Sequence, residues 1–177
     1  MNAGPVQALP PWAGAPLPAI ATPRLLLRAM GDGDLAALFA IYGDPEVMRH
    51  ASDPVFTEPA TVQTLLASVA RLQAAGLSLE WAIERRADGA VIGTCGLHGF
   101  DEDAAAAEMG CLLRRDAWGQ GHAREALQAL MDFACARLQR RALRAEIDAD
   151  NIRSKRLFAA LGFTRRDATH WVHSLAG

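Results

Sequence analysis

The sequence predicts a single α/β (α+β) domain built on a mixed, mostly antiparallel seven-stranded sheet flanked by four helices. Three observations lead there. The chain has 177 residues, a one-domain length that buries a full core without staples. Its apolar residues switch repeatedly between helical and alternating periodicity. The switches run β, α, α, β, β, β, α, β, α, β, β, which joins a meander to one strand–helix–strand crossover.

Residues 1–21 hold Pro5, Pro10, Pro11, Pro16 and Pro18 with no charge and no periodicity, and are expected to form a flexible or extended tail outside a domain of residues 22–177. The first strand is expected at Arg24–Arg28, after Pro23. Asp32 and Asp34 open a helix with Leu35, Leu38, Phe39 and Tyr42 on one face, stopped by Gly43-Asp44-Pro45. Thr57 is the expected N-cap of a second helix, with Pro59 in its first turn, a stripe of Val62, Leu65, Leu66, Val69 and Leu72, and an end at Gly76.

Alternation then begins. Trp81 and Ile83 take one face of a strand over 79–85, and Glu80 and Glu84 the other. Ala87-Asp88-Gly89-Ala90 is a hairpin turn. The return strand over 91–100 carries Gly93, Gly96 and Gly99, which mark bulges or close approaches. A turn over 101–106 leads to a strand over 107–114. After the loop Trp118–Ala123 comes a helix with Leu127, Leu130, Met131, Ala134 and Leu138. A strand over 143–148, a helix from Asn151 to Gly162, and short strands over 163–166 and 170–174 complete the chain.

Composition excludes several functions. The net charge of −2 lacks the basic face that nucleic-acid binding requires. No apolar run reaches the roughly 20 residues of a membrane helix. Cys95, Cys111 and Cys135 are odd in number with no CxxC, as expected of reduced cysteines in a cytoplasmic protein. His50, His98, His122, His170 and His173 form no metal-ligand spacing, so no metal site is expected.

The segment Glu108 to Ala126 reads as strand, glycine loop, helix. Such a helix start offers unpaired N–H groups and the positive end of a dipole, and Gly119 and Gly121 let the backbone approach an anion, most naturally a phosphate. A plain β–α turn is the competing reading. A dinucleotide fingerprint fits poorly, because Arg124 stands where the third glycine belongs and the following acid is missing. A P-loop fails for lack of Gly-Lys-Ser/Thr.

Two segments carry a more specific signal: Trp118-Gly-Gln-Gly-His-Ala123, and Asn151-Ile-Arg-Ser154 followed by Leu161-Gly-Phe163. They resemble the general-control-related N-acetyltransferase (GNAT) superfamily, whose phosphate loop reads Q/R-x-x-G-x-G/A. Trp118 in place of the first Gln or Arg resembles the RimJ/RimL-type branch, which acetylates protein N-termini and related amines. Thr22–Arg28, Asp44–Met48, Trp81–Ile83 and Ile92–Leu97 match further landmarks of that branch in order. The resemblance covers about residues 22–175.

The resemblance implies acetyl-CoA (coenzyme A) as cofactor. Its pyrophosphate would lie on Gly119, Gln120, Gly121, His122, Ala123 and Arg124. Its pantetheine arm would pair with Leu112, Leu113 and Arg114, and Asn151 and Ser154 would contact the cofactor. Arg124 is a charge partner for phosphate or a solvated first-turn residue. Arg153, Lys155 and Arg156 meet the 3′-phosphate or face solvent. The implied reaction is direct attack of a primary amine, on a protein N-terminus or a small molecule, in a ternary complex. An alkylammonium of pKa about 10 needs a base. Glu108, at a position where this branch commonly has Glu, is the first candidate, with a structural ion pair as its alternative. Glu80 is the second, with a surface role as its alternative. The position where many members carry a Tyr is Phe158, and Tyr42 is expected far off on the first helix. Ser154 is the remaining hydroxyl, set near the cofactor sulfur or on the helix surface. An oxyanion would need a backbone N–H around Leu112. The alternative function is a non-catalytic acyl-CoA-binding module. The expected partners are an amine substrate, no nucleic acid and no membrane, with the chain a monomer or homodimer.

Overall fold

A computed structural model describes residues 10–101 and 105–175. Eight strands form one sheet in the order β1-β2-β3-β4-β5-β6-β8-β7. They are β1 (Ile20–Ala21), β2 (Leu25–Arg28), β3 (Ser78–Arg85), β4 (Ala90–Asp101), β5 (Ala106–Leu113), β6 (Ala142–Glu146), β7 (Thr164–Arg165) and β8 (His170–Ser174). Five α-helices accompany them: α1 (Leu35–Tyr42), α2 (Pro45–Met48), α3 (Ala60–Ala74), α4 (His122–Ala136) and α5 (Ile152–Ala160). Every neighbouring pair is antiparallel except β5 and β6, which the α4 crossover makes parallel.

The expected mixed, mostly antiparallel sheet is present, with one strand and one short helix more than expected. The extra strand comes from the expected tail. Residues 1–9 lie outside the described residues. From Pro10 onward the segment packs on the domain. Trp12 packs at a tilt against Phe100 with ring centroids 5.0 Å apart and donates its indole N–H to Gly76 O. Pro18 O accepts the indole N–H of the fully buried Trp81 at 2.8 Å. Ile20 and Ala21 pair with Leu27 and Leu26. Prolines bar this segment from a helix but leave its carbonyls free to accept, and an uncharged segment pays little to be covered.

The α3 helix starts at Ala60, with Pro59 as its N-cap and no side-chain cap, so Thr57 does not fill the expected role. Of its stripe only Val62 is fully buried. The turn expected over 101–106 lies partly outside the described residues. Gly99 takes φ +55 where the β4–β5 register shifts between His98 and Asp101, so a bulge does sit at the last of the three strand glycines. Gly93 is instead a close approach, because a Cβ there would overlap Leu112 O.

The sheet separates two apolar clusters. Alternation along β3 sends Trp81 and Ile83 to the side covered by α4 and α5, where Trp81 meets Phe133 edge-on at 5.4 Å. Ala82 joins Leu38, Ile41, Tyr42, Val47, Met48 and Val62 on the side of α1 to α3. Glu80 and Glu84 therefore point to that second side. Glu84 ends there in an ion pair with Arg28, which also holds Asp34 through two bonds of 2.9 Å.

Candidate active site

The parallel pairing of β5 with β6 stops early. It covers Ala106 with Ala142, Ala107 with Leu143 and Glu108 with Arg144, while β5 continues to Leu113. Beyond Glu108 the two strands part and a cleft opens. The β4 ladder sets which backbone groups face it. Arg114 N–H donates to Ile92 O at 2.8 Å, so by two-residue alternation Leu112 and Gly110 also bond toward β4. Past the last pair with β6, Cys111 is left presenting N–H and C=O to the cleft and Leu113 its N–H. Of the expected pantetheine-pairing residues, only Leu113 offers its backbone there. The guanidinium of Arg114 turns away to Asp116. The Leu112 N–H, around which an oxyanion donor is expected, faces β4, and those of Cys111 and Leu113 face the cleft.

The glycine loop stands at the open end of this edge. Gly119 and Gly121 take φ +73 and +79, which only glycine adopts without strain. Gly121 is the N-cap of α4 and has no side chain, so no side chain caps the N–H groups of His122, Ala123 and Arg124. Arg24 staples the loop to β2. It donates to Gln120 O at 2.8 Å and pairs with Glu125 at 2.6 Å. Burial pushes the Glu125 carboxyl up, but bonds from the Thr22 hydroxyl, the Arg24 N–H and its guanidinium outweigh that and hold it below its usual range. The indole of Trp118 donates to Leu113 O at 2.7 Å and lies under the Arg153 guanidinium, 3.5 Å from its ring centroid. Arg153 is thus partnered rather than a free basic face. Lys155 bonds to Ala149 O, and Arg124 is exposed.

Across the cleft, Asn151 Oδ1 accepts the Ser154 N–H at 3.1 Å, so the expected N-cap is in place. The Ser154 hydroxyl has no hydrogen-bond partner among the described residues and lines the cavity. Phe158 is buried edge-on against Phe163.

The cavity has a volume of about 580 Å³ and continues to the α1 side of the sheet. The two candidate carboxylates differ sharply there. Glu80 is largely enclosed, with Ser78 Oγ donating to its Oε1 at 2.6 Å. Burial, with a smaller push from Asp53, raises its pKa to about 7 despite that bond. Its room comes from Gly96, where a Cβ would overlap the Glu80 carboxylate. Glu108 is more open, with His98 Nδ1 3.9 Å away. Tyr42 is not remote as expected. It lines the same cavity, bonds Thr94 Oγ1 at 3.0 Å, and burial pushes its hydroxyl up to about 12. His50 was also missed. It meets Asp148 at 2.9 Å across a gap of 98 positions, which no sequence spacing reveals. Burial pushes the Cys111 thiol up to about 12 and the Cys95 thiol well above its usual value. Neither is a thiolate nucleophile near neutral pH.

A second groove of about 610 Å³ runs between Pro18–Pro23 and α4, lined by neither the free strand edge nor the glycine loop. Among the described residues no group of three or more His, Cys, Asp or Glu is placed to hold a metal ion, and no helix is long and apolar enough to cross a membrane.

Residues 24–164 match the acetyltransferase (GNAT) domain family. The uncharacterized N-acetyltransferase p20 of Bacillus licheniformis is 31% identical over 144 residues, 81% of each chain. The RimL ribosomal L7/L12 alpha-N-protein acetyltransferase, solved with coenzyme A, superposes with a TM-score of 0.79 at 19% identity over 89% of this chain and 98% of that one. The spermidine N-acetyltransferase of Vibrio cholerae, solved with CoA and spermine, gives 0.72 at 17% identity over 82% and 84%.

Proposed function

Because the chain belongs to the acetyltransferase (GNAT) family, we propose that it transfers an acetyl group from acetyl-CoA to a primary amine by direct attack, with both substrates bound together. One observation carries this: the free β5 edge at Cys111 and Leu113 ends beside the uncapped N-terminus of α4. Extended chain with amide groups pairs with such an edge, and a diphosphate suits such a helix start. The donor set therefore fits a molecule that carries both. Acetyl-CoA, when bound, supplies a thioester carbonyl open to attack.

The protein's own groups do the rest. The Cys111–Leu113 edge holds the pantetheine arm as an added strand. Gly119 and Gly121 let the loop backbone close on the pyrophosphate, and the N–H groups of His122, Ala123 and Arg124 donate to it. Glu80 accepts the proton of the incoming ammonium. A carboxylate whose pKa is near 7 is a stronger base than an ordinary one and is about half ionised at neutral pH. A thiol of pKa about 8.5 leaves without obligatory acid help, and the Ser154 hydroxyl is the group on α5 that can donate to it. With the cleft cysteines held as thiols, attack is direct rather than through a cysteine.

The test is thiol release from acetyl-CoA against a panel of amines. Release that requires an amine is expected. Release without one, or none with any, overturns the reading. Gly121→Glu places a carboxylate in the anion cradle and is expected to weaken acetyl-CoA binding at least about tenfold. Unchanged affinity in a folded variant would reject the pyrophosphate assignment.

A further inference from the structure

Which amine the site takes can be argued from the sheet face that floors the acceptor half of the cavity. This step rests on the acetyl-transfer reading. Register and alternation put Ser78 and Glu80 of β3, Thr94, Gly96 and His98 of β4, and Glu108, Gly110 and Leu112 of β5 on one face. Glu80, Gly96 and Gly110 are consecutive partners across three strands. Two adjoining glycines leave a strip of sheet with no side chains. The Glu80 carboxylate leans over the first, and nothing lies within 4 Å of where a Cβ on Gly110 would sit.

A carboxylate stands at each end of this strip. Oε1 of Glu80 is bonded by Ser78, and Oε2 has no hydrogen-bond partner among the described residues. Glu108 stands two residues along β5 from Gly110, and its approach to His98 at 3.9 Å is too long for a hydrogen bond. The arginines of the cavity are engaged elsewhere: Arg49 lies 3.5 Å from Glu46, and Arg153 covers Trp118. No Lys or Arg is paired with Glu80 or Glu108 among the described residues. Strand spacing of about 4.8 Å and a rise of about 3.4 Å per residue put the Cα atoms of Glu80 and Glu108 about 12 Å apart. A buried carboxylate without a cation is costly unless a ligand brings the charge.

We propose that the acceptor is a linear di- or polyamine, its reacting ammonium at Glu80, its methylene chain over the Gly96–Gly110 strip and a second ammonium at Glu108. In this arrangement Glu108 selects the substrate and Glu80 takes the proton. Glu80 takes one proton from the ammonium, the freed amine nitrogen bonds to the acetyl carbon, the carbon–sulfur bond breaks, and the second proton lost from that nitrogen goes to the leaving thiolate, so that coenzyme A departs as the thiol.

The experiment compares butylamine with 1,4-diaminobutane, 1,5-diaminopentane and a linear triamine, beside a neutral alanyl peptide. Turnover is read by thiol release and binding by calorimetry without acetyl-CoA. The diamines or triamine are expected to exceed butylamine by at least about tenfold in kcat/KM, since the second ammonium meets an unpaired but partly exposed carboxylate. Glu108→Gln is expected to raise their KM far more than it lowers kcat and to collapse that preference to about threefold. Equal kcat/KM for mono- and diamines, faster acetylation of the neutral peptide, or a preference that survives Glu108→Gln overturns the proposal. If no amine is acetylated, the acetyl-transfer reading fails. The calorimetric arm then decides the charge site alone: a diamine preference abolished by Glu108→Gln upholds it, and its absence rejects it.

Discussion

At the scale of single residues, Glu80 has a consequence for stability as well as chemistry. Its folded pKa of about 7 lies above the ordinary carboxyl value. The folded state therefore takes up a proton between those values. Its contribution to stability is fully present below the unfolded pKa and is lost as pH rises to about 7, amounting to about 3 kcal/mol. Glu80→Gln is expected to melt several degrees higher than the parent at pH 8 while kcat/KM falls about 100-fold or more. A titration of kcat/KM should show an acid limb near pH 7 that the variant lacks. Asp34 has the opposite sign. The Arg28 guanidinium outweighs burial and holds its carboxyl below the usual range, so its contribution is present above the unfolded pKa and is lost as pH falls through the folded one. Asp34→Asn should cost about 2–3 kcal/mol at neutral pH in a denaturant melt and lose that penalty in acid. Sequence alternation put Glu80 opposite Trp81 but could not say which side of the sheet the cleft enters. That depends on where α1 to α3 pack. Tyr42 and His50 were hidden for the same reason, since their cavity is assembled from segments that run from Tyr42 to Phe158.

At the scale of elements, the readable parts were those with local causes. The loop before α4 and the cap of α5 are written in neighbouring residues, Gly119, Gly121, Asn151 and Ser154, and they stand where the pattern put them. The parting of β5 from β6 has no local cause. It follows from how far the crossover lets two strands run together, and so the residues facing the cleft came out shifted by one, from Leu112 to Cys111 and Leu113. The strand glycines were legible as close approaches, but not what approached them. Gly96→Ala tests the element directly. Its Cβ displaces the Glu80 carboxylate, and a shift of about 1 Å at a reacting group can cost about 100-fold. We expect kcat/KM to fall at least about tenfold with acetyl-CoA affinity kept, measured by calorimetry beside the assay.

At the scale of the molecule, residues 10–21 are part of the fold. Its proline content and lack of charge read as a tail because its partners are distant: Gly76, Phe100 and the indole of Trp81. Removing residues 1–21 strips β1 together with Leu17 and Ile20, which pack on the core, and leaves the buried Trp81 N–H without its acceptor, which alone costs about 1–3 kcal/mol. At about 2–4 °C per kcal/mol for a chain of this size, the truncated protein should melt at least about 5 °C lower by calorimetry. The sheet itself is two panels, β1 to β5 and β6 to β8, sewn together by three residue pairs at one end of their seam. The unsewn length is where amide protons lack sheet partners in the middle of an otherwise protected array. In deuterated buffer Cys111 and Leu113 should exchange faster than Gly110 and Leu112 beside them. A ligand that fills the seam should slow exactly those amides and, at about 100 times its Kd, add about 2.7 kcal/mol to the stability of both panels together.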